Sequence, residues 1–275
     1  MDIIHRLRSV AHRFGVDITR YPGNWSGLQL VRLLAEHRVN VVIDVGAHAG
    51  GYGSMLRSAG FPGRIVSFEP LRSPRSELHR AARKDEHWHV YPYALGEKSG
   101  TVVMNVAGNS GASSSVLPML DRHRVAAPHA QYQGKQTAEM RCLGELWEEL
   151  IKPDDRVFLK MDVQGYEENV LKGLGGHFGE CVGIQMETSL VPLYQGVWSF
   201  KEALELVTGK LGMTVMSVIP GFTDPRTGQM LQCDLVLFRD VRVDVEQLSA
   251  LSGNGPEILT GRASSSAGRG GLSRK

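Results

Sequence analysis

The sequence predicts an α/β fold, a Rossmann-like domain with a seven-stranded, mainly parallel sheet and helices on both faces. Three observations predict it. From Asn40 onward, short apolar runs alternate with amphipathic stretches, the signature of strands crossing over through helices. The first apolar run, Val41 to Val45, passes directly into a Gly-rich turn. The second, Arg64 to Phe68, ends in an acidic residue followed by proline.

The composition agrees with one soluble domain and terminal extensions. The chain has 275 residues, 42% hydrophobic and 22% charged, which excludes a collagen-like or wholly disordered polypeptide. A net charge of +2 makes no demand for nucleic acid. Cys142, Cys181 and Cys233 have no metal-binding or redox spacing and read as thiols of a reducing compartment. No apolar run approaches the roughly 20 residues that span a bilayer, and Met1 to Gly15 lacks the apolar core of a secretory signal. The expected location is therefore cytoplasmic, without an integral membrane segment.

Taken in order, residues 1–38 read as a helical extension. Ile4, Leu7, Val10, Ala11 and Phe14 recur at helical spacing among basic residues, a helix that would pack on the domain or make peripheral contact with an acidic surface. A second helix is predicted over Gly27 to His37. The main domain spans 39–240, with strands near 41–45, 64–69, 88–94, 156–161, 181–187, 213–218 and 232–238. Helices fall near 51–60, 74–84, 143–150, 166–173 and 199–210. Residues 101–142 form an insertion read as a short hairpin followed by a long loop, and loops of that length are commonly functional. Residues 241–275 lose periodicity and end in a Ser/Gly/Arg-rich run expected to be disordered.

The run from Ile43 to Gly51 gives the frame Asp-x-Gly-x-x-x-Gly, with Asp44, Gly46 and Gly50 in the motif positions and His48 between the glycines. A dinucleotide fingerprint would be G-x-G-x-x-G with a diphosphate on the helix N-terminus. Asp44 would repel phosphate but suits a methionyl ammonium, and glycine would let the backbone approach a ligand closely. Glu69 follows 25 positions later, where a carboxylate in such sheets accepts hydrogen bonds from ribose hydroxyls. Pro70 stiffens the turn that presents it. No G-x-x-x-x-G-K-[ST] loop is present.

The fourth strand is apolar until Lys160 and Asp162, and Val163 to Glu167 then opens a helix. Ligands of open α/β sheets bind beyond the carboxyl ends of the strands. Asp162 is accordingly the first candidate for a general base that removes or orients an acceptor hydroxyl proton, with Glu167 or Glu187 sharing that work. Asp162 and Glu187 would also suit magnesium, but no dedicated metal site is read. The structural alternative has Asp162 capping the next helix and Glu187 pairing with Lys160. Tyr194 and Trp198 read as aromatic platforms beside the acceptor. Among ten histidines, only His48 stands near the expected site.

In this order, Ile43-Asp44-Val45-Gly46-Ala47, Ser67-Phe68-Glu69-Pro70, Ala94-Leu95-Gly96, Ala112-Ser113-Ser114-Ser115 and Leu159-Lys160-Met161-Asp162-Val163-Gln164-Gly165-Tyr166-Glu167, the sequence resembles the FkbM methyltransferases from about Val41 to Phe238. The resemblance implies a class I methyltransferase fold, S-adenosyl-L-methionine as cofactor, and a hydroxyl of a sugar, glycolipid or polyketide-type acceptor. It further implies that Asp44, Gly46 and Glu69 contact the cofactor and that Ser114, within the Ser113–Ser115 run, belongs to the site wall. His48 and Tyr93 stand where the family often carries Asn. The alternatives on the same fold are an NAD-dependent oxidoreductase, which the missing third glycine disfavours, and a non-catalytic nucleoside-binding module.

Overall fold

The computed structural model describes residues 26–239, so the predicted helix at 3–14 and the tail at 241–275 lie outside the described residues. All described residues belong to one compact unit, Met1–Asp240. Helix α1 (Ser26–Glu36) leads into β1 (Val41–Val45), followed by α2 (Gly51–Ser58), β2 (Arg64–Phe68), α3 (Arg72–Ala82) and β3 (Trp88–Tyr91). Next come β4 (Ala94–Leu95), β5 (Gly100–Ala107), α4 (Asp121–Ala126), β6 (Tyr132–Arg141) and α5 (Leu143–Leu150). The chain then forms β7 (Val157–Met161), α6 (Glu167–Leu174), β8 (Cys181–Ser189), α7 (Phe200–Leu204), β9 (Met213–Pro220) and β10 (Gln232–Arg239).

The main sheet has the order β3-β2-β1-β7-β8-β10-β9, and its pairs are parallel except for β10, which runs antiparallel to both neighbours. Strands β1 and β7 are buried along their whole length, as central parallel strands covered on both faces must be. Alternation sends Val41, Ile43 and Val45 into a core with Leu146, Trp147, Val170 and Leu174 of α5 and α6. Val42 faces the opposite core with Leu30 and Leu34 of α1, Leu56 of α2 and Leu78 of α3.

Most predicted elements recur within two residues of their expected ends, and two differences have clear causes. Strand β3 stops at Tyr91 rather than continuing to 94, because Pro92 offers no N–H to the ladder. Ala94 and Leu95 leave the main sheet and pair with Met140 and Arg141. In the insertion, the long loop lies inside the hairpin rather than after it: β5 and β6 pair antiparallel from Gly100↔Met140 to Ala107↔Tyr132, and residues 108–131 connect them. Strand β6 hides only Ala138 and Met140 fully, so its polar sequence carries little strand signal. Together β4, β6 and β5 make a second sheet of three strands.

Among the described residues, no helix is long and apolar enough to cross a membrane. Cys181 and Cys233 are buried and Cys142 is partly buried, all three as free thiols.

Candidate active site

Strand register sets the site. Val45 is level with Phe68 on one side and with Met161 on the other, and Met161 is level with Met186. The residues that follow these strand positions, Glu69, Gly46, Asp162 and Glu187, therefore stand in a row along the carboxyl edge of the sheet. Backbone bonds hold the row: Gly46 N–H donates to the Phe68 carbonyl at 3.0 Å and Asp162 N–H to the Val45 carbonyl at 3.1 Å.

A cavity of about 210 Å³ opens above the row and is lined by Gly46, His48, Glu69, Ser114 and Asp162 among the predicted residues. Leu71, Tyr93, Ala94, Leu95, Met104 and Tyr166 supply much of its apolar wall. The insertion roofs it through Gly111, Ala112, Ser114 and Val116. Two hydrogen bonds fasten this roof: His48 Nε2 lies 3.0 Å from the Ser110 carbonyl, and Ser115 Oγ donates to the Gln164 carbonyl at 2.8 Å.

Glu69 is buried and both of its carboxylate oxygens serve the turn. Oε2 accepts from His48 N–H and Oε1 from Leu71 N–H, each at 2.8 Å. Burial pushes the carboxyl above its ordinary range, while these two N–H groups pull the other way. Each oxygen keeps a lone pair for a ligand hydroxyl. Ser114 Oγ is committed to Ala107 N–H at 2.9 Å, so Ser114 shapes the wall while holding the roof.

Asp44 and Gly50 do not line the cavity. Asp44 lies one residue below the edge, wholly buried, in an ion pair with Lys160 Nζ at 3.0 Å. The register explains the pairing, because Asp44 is level with both Ser67 and Lys160 on one face of the sheet. Lys160 also donates to the Gly46 carbonyl at 3.2 Å and lies 3.9 Å from Asp162 Oδ2. Burial opposes its charge, but Asp44 and then Asp162 override that and hold the ammonium above its ordinary range. The same polar row continues through Gln185, which donates to Asp234 at 2.7 Å and accepts from Tyr52 at 2.9 Å.

The two glycines answer to packing. Gly46 has φ +75°, and a Cβ there would lie 1.9 Å from the Asp162 carbonyl oxygen. Gly50, φ +84°, would press a Cβ to 2.9 Å from Leu78 Cδ1 of α3. Close approach of backbone to backbone, and of turn to helix, requires them whether or not a ligand is bound.

Of the remaining carboxylates, Asp162 has a 42% exposed side chain at the cavity, and Gln164 Nε2 donates to its Oδ1 at 2.7 Å. The same nitrogen donates to Glu187 Oε2 at 2.9 Å. Burial raises Glu187 well above the ordinary carboxylate range, and the Asp162 charge adds to it. Neither structural alternative from the sequence is present: Lys160 pairs with Asp44 rather than Glu187, and Asp162 does not cap α6. Glu167, buried at the first helical position, instead ties down the loop before the helix: its Oε1 accepts from Val163 N–H at 2.9 Å and Gly165 N–H at 3.3 Å. Glu167 thus lies behind the loop and outside the cavity lining.

Tyr194 and Trp198 are not acceptor platforms. Tyr194 is fully buried and Trp198 is 7% exposed within the main core. Sequence reasoning also passed over the part played by Gln164, because its partners Glu187 and Tyr194 lie 23 and 30 positions away and no local pattern links them. Among the described residues, no group of three or more His, Cys, Asp and Glu side chains is arranged to hold a metal ion.

The model of the methyltransferase FkbM domain matches residues 44–212, which contain the whole row of strand ends and the roof. The chain belongs to the FkbM methyltransferase family. It is similar in fold to the magnesium protoporphyrin IX methyltransferase of Synechocystis PCC 6803, solved with bound SAM, at 12% identity, TM-score 0.40, covering 87% of this chain and 85% of that one. A candidate O-methyltransferase from Klebsiella pneumoniae gives 10% identity, TM-score 0.46 and coverage of 87% and 91%. A ribosomal protein L11 methylase from Lactobacillus delbrueckii subsp. bulgaricus gives 10% identity, TM-score 0.39 and coverage of 79% and 80%. Comparison with curated proteins gives no match. The seven-stranded sheet of this FkbM chain, parallel except for β10, is Rossmann-like.

Burial raises Glu167 to about 7 from the ordinary 4.5. The folded protein therefore holds a proton there that the unfolded chain has already released. This contribution to stability is full below about 4.5 and is lost as pH rises through about 7, a change on the order of 3 kcal/mol. Glu167→Gln keeps an acceptor for both N–H groups and removes the titration. Denaturant unfolding at pH 5 and pH 8 is expected to show a flatter pH dependence in the variant; a slope equal to that of the native protein would assign the titration elsewhere.

Proposed function

We propose that this FkbM protein is an S-adenosyl-L-methionine-dependent O-methyltransferase acting on a hydroxyl of a sugar, glycolipid or polyketide-type acceptor. The observation that carries the proposal is the convergence of Glu69, Gly46 and Asp162 on one cavity at the carboxyl edge of the sheet. Glu69 has spare lone pairs for both ribose hydroxyls, and Leu71, Tyr93, Ala94 and Leu95 offer an apolar wall to the base. Asp44 serves from below: its charge is spent on Lys160, whose ammonium braces the Gly46 carbonyl and so the turn beside the donor.

Bound there, S-adenosyl-L-methionine supplies an electrophilic methyl on a sulfonium, a good leaving group. The chain then has to align an acceptor and take its proton. Asp162 faces the cavity and accepts the hydroxyl proton as the oxygen–carbon bond forms. Glu187, beside it, receives the same Gln164 amide and supports the acceptor side of the edge. Leu71, Met104 and Val116 exclude water from the donor side.

Calorimetric titration with S-adenosyl-L-methionine, followed by methyl transfer from labelled donor across a panel of glycosides, tests the reading. Heat of binding and labelled product support it; absence of heat at high protein concentration removes the donor, and binding without turnover on any acceptor leaves a nucleoside-binding module. Glu69→Ala is expected to weaken S-adenosylhomocysteine by about 10- to 100-fold, the scale of charged hydrogen bonds at roughly 1.5–3 kcal/mol. Unchanged affinity in that titration would take Glu69 out of the donor site.

A further inference from the structure

Two acidic side chains from different strands, Asp162 after β7 and Glu187 in β8, meet at a single amide. Gln164 Nε2 lies 2.7 Å from Asp162 Oδ1 and 2.9 Å from Glu187 Oε2, so each of its two hydrogens has a carboxylate acceptor. On the far side of the amide, the Tyr194 hydroxyl donates to Gln164 Oε1 at 2.6 Å, with the Ser113 carbonyl at 3.3 Å as a weaker second acceptor. These partners dictate which way the amide points. Reversed, it would set its carbonyl oxygen against the Asp162 carboxylate and leave the Tyr194 hydroxyl only the Ser113 carbonyl at 3.3 Å to receive its hydrogen.

We propose that Tyr194 and Gln164 are positioning residues for methyl transfer: the Tyr194 hydroxyl locks the Gln164 amide, and the locked amide ties Asp162, which lines the cavity, to Glu187 behind it. The proposal deepens the O-methyltransferase reading and rests on it for the role of Asp162. Further observations support it. Gln164 has φ +56°, a left-handed conformation that is unfavourable for a residue other than glycine and is retained where surrounding contacts demand it. Its carbonyl is bound by Ser115 Oγ, so main chain and side chain are both anchored.

Tyr194 itself cannot drift. It is fully buried among Met119, Leu193 and Leu231, with the His123 ring edge-on at 5.2 Å. Only its hydroxyl leaves this apolar nest, and burial raises the phenol far above its ordinary pKa, so it remains a donor at any working pH. Asp162, by contrast, has a 42% exposed side chain and would be free to rotate toward solvent without the amide.

The test uses the full chain labelled with 15N, in which the Gln164 side-chain NH2 signals are assigned by their loss in Gln164→Glu. In the native protein both protons are expected to be protected from solvent exchange. In Tyr194→Phe, which keeps the ring and removes the hydroxyl, their exchange should be about tenfold faster, the scale of one lost hydrogen bond, while backbone amides of residues 113–117 keep their native protection. Freely exchanging Gln164 protons in the native protein, or native protection in Tyr194→Phe, overturns the proposal. On any glycoside that accepts methyl, Tyr194→Phe should lower kcat by about tenfold and leave the KM for S-adenosyl-L-methionine within about twofold; a parallel loss in both would assign Tyr194 a merely structural role. Should no donor bind at all, the O-methyltransferase reading fails while the amide signals still judge the lock.

Discussion

Asp162→Asn is expected to lower methyl transfer by roughly 10²–10⁴-fold, the loss typical of a removed general base, with donor affinity nearly intact. The substitution is nearly isosteric. It keeps an oxygen that can accept from Gln164, and the main-chain bond to Val45 is untouched, so the edge of the sheet should retain its shape. What disappears is the capacity to receive a proton from the acceptor hydroxyl. It also removes the negative charge 3.9 Å from Lys160, a small loss because the ammonium keeps its closer partners, Asp44 and the Gly46 carbonyl. Single-turnover rates with labelled donor, together with S-adenosylhomocysteine titration, separate the chemical step from binding. A rate within about threefold of native would move the base elsewhere, with Glu187 the nearest candidate; a lost donor affinity would instead make Asp162 a ligand of the cofactor.

The order of strands and helices was legible because buried parallel strands write continuous apolar runs, and Val41–Val45 and Val157–Met161 are such runs. Strand ends were legible for the same reason: Glu69 and Asp162 are charges that terminate apolar stretches, and the structure brings both to one cavity. The depth of Asp44 was not. A strand-terminal acid looks alike in sequence whether it stands at the edge or one residue below it. Only the register with Ser67 and Lys160 reveals that it points into the face under α2. The aromatic residues after β8 were misread for a related reason: Tyr194 and Trp198 sit in a Pro- and Gly-containing loop, where Tyr194 packs against the insertion and Trp198 joins the main core. Long-range contacts of this kind leave no local period.

Lys160→Met should destabilise the protein by about 3–5 kcal/mol, the cost of leaving a buried charge without its partner. Asp44 is fully buried, and its other contact within hydrogen-bond reach is Ser67 Oγ at 3.4 Å, too long to satisfy a carboxylate. Asp44→Asn should cost less, because Lys160 would retain the Gly46 carbonyl and the Asp162 charge. The double variant Asp44→Asn/Lys160→Met removes both charges and should recover much of the loss, since buried ion pairs replaced as a unit are often close to neutral. Urea unfolding of the four proteins measures the cycle, and a Lys160→Met variant within about 1 kcal/mol of native would show that the pair is not coupled as its 3.0 Å separation requires. If the double variant is stable yet binds S-adenosylhomocysteine poorly, the pair's contribution lies in the turn rather than in the core. Lys160 is the residue through which that would act, because its ammonium joins the buried Asp44, the Gly46 carbonyl and the exposed Asp162. An apolar pair could fill the same volume, but it would leave the Gly46 turn without its brace and Asp162 without a neighbouring cation.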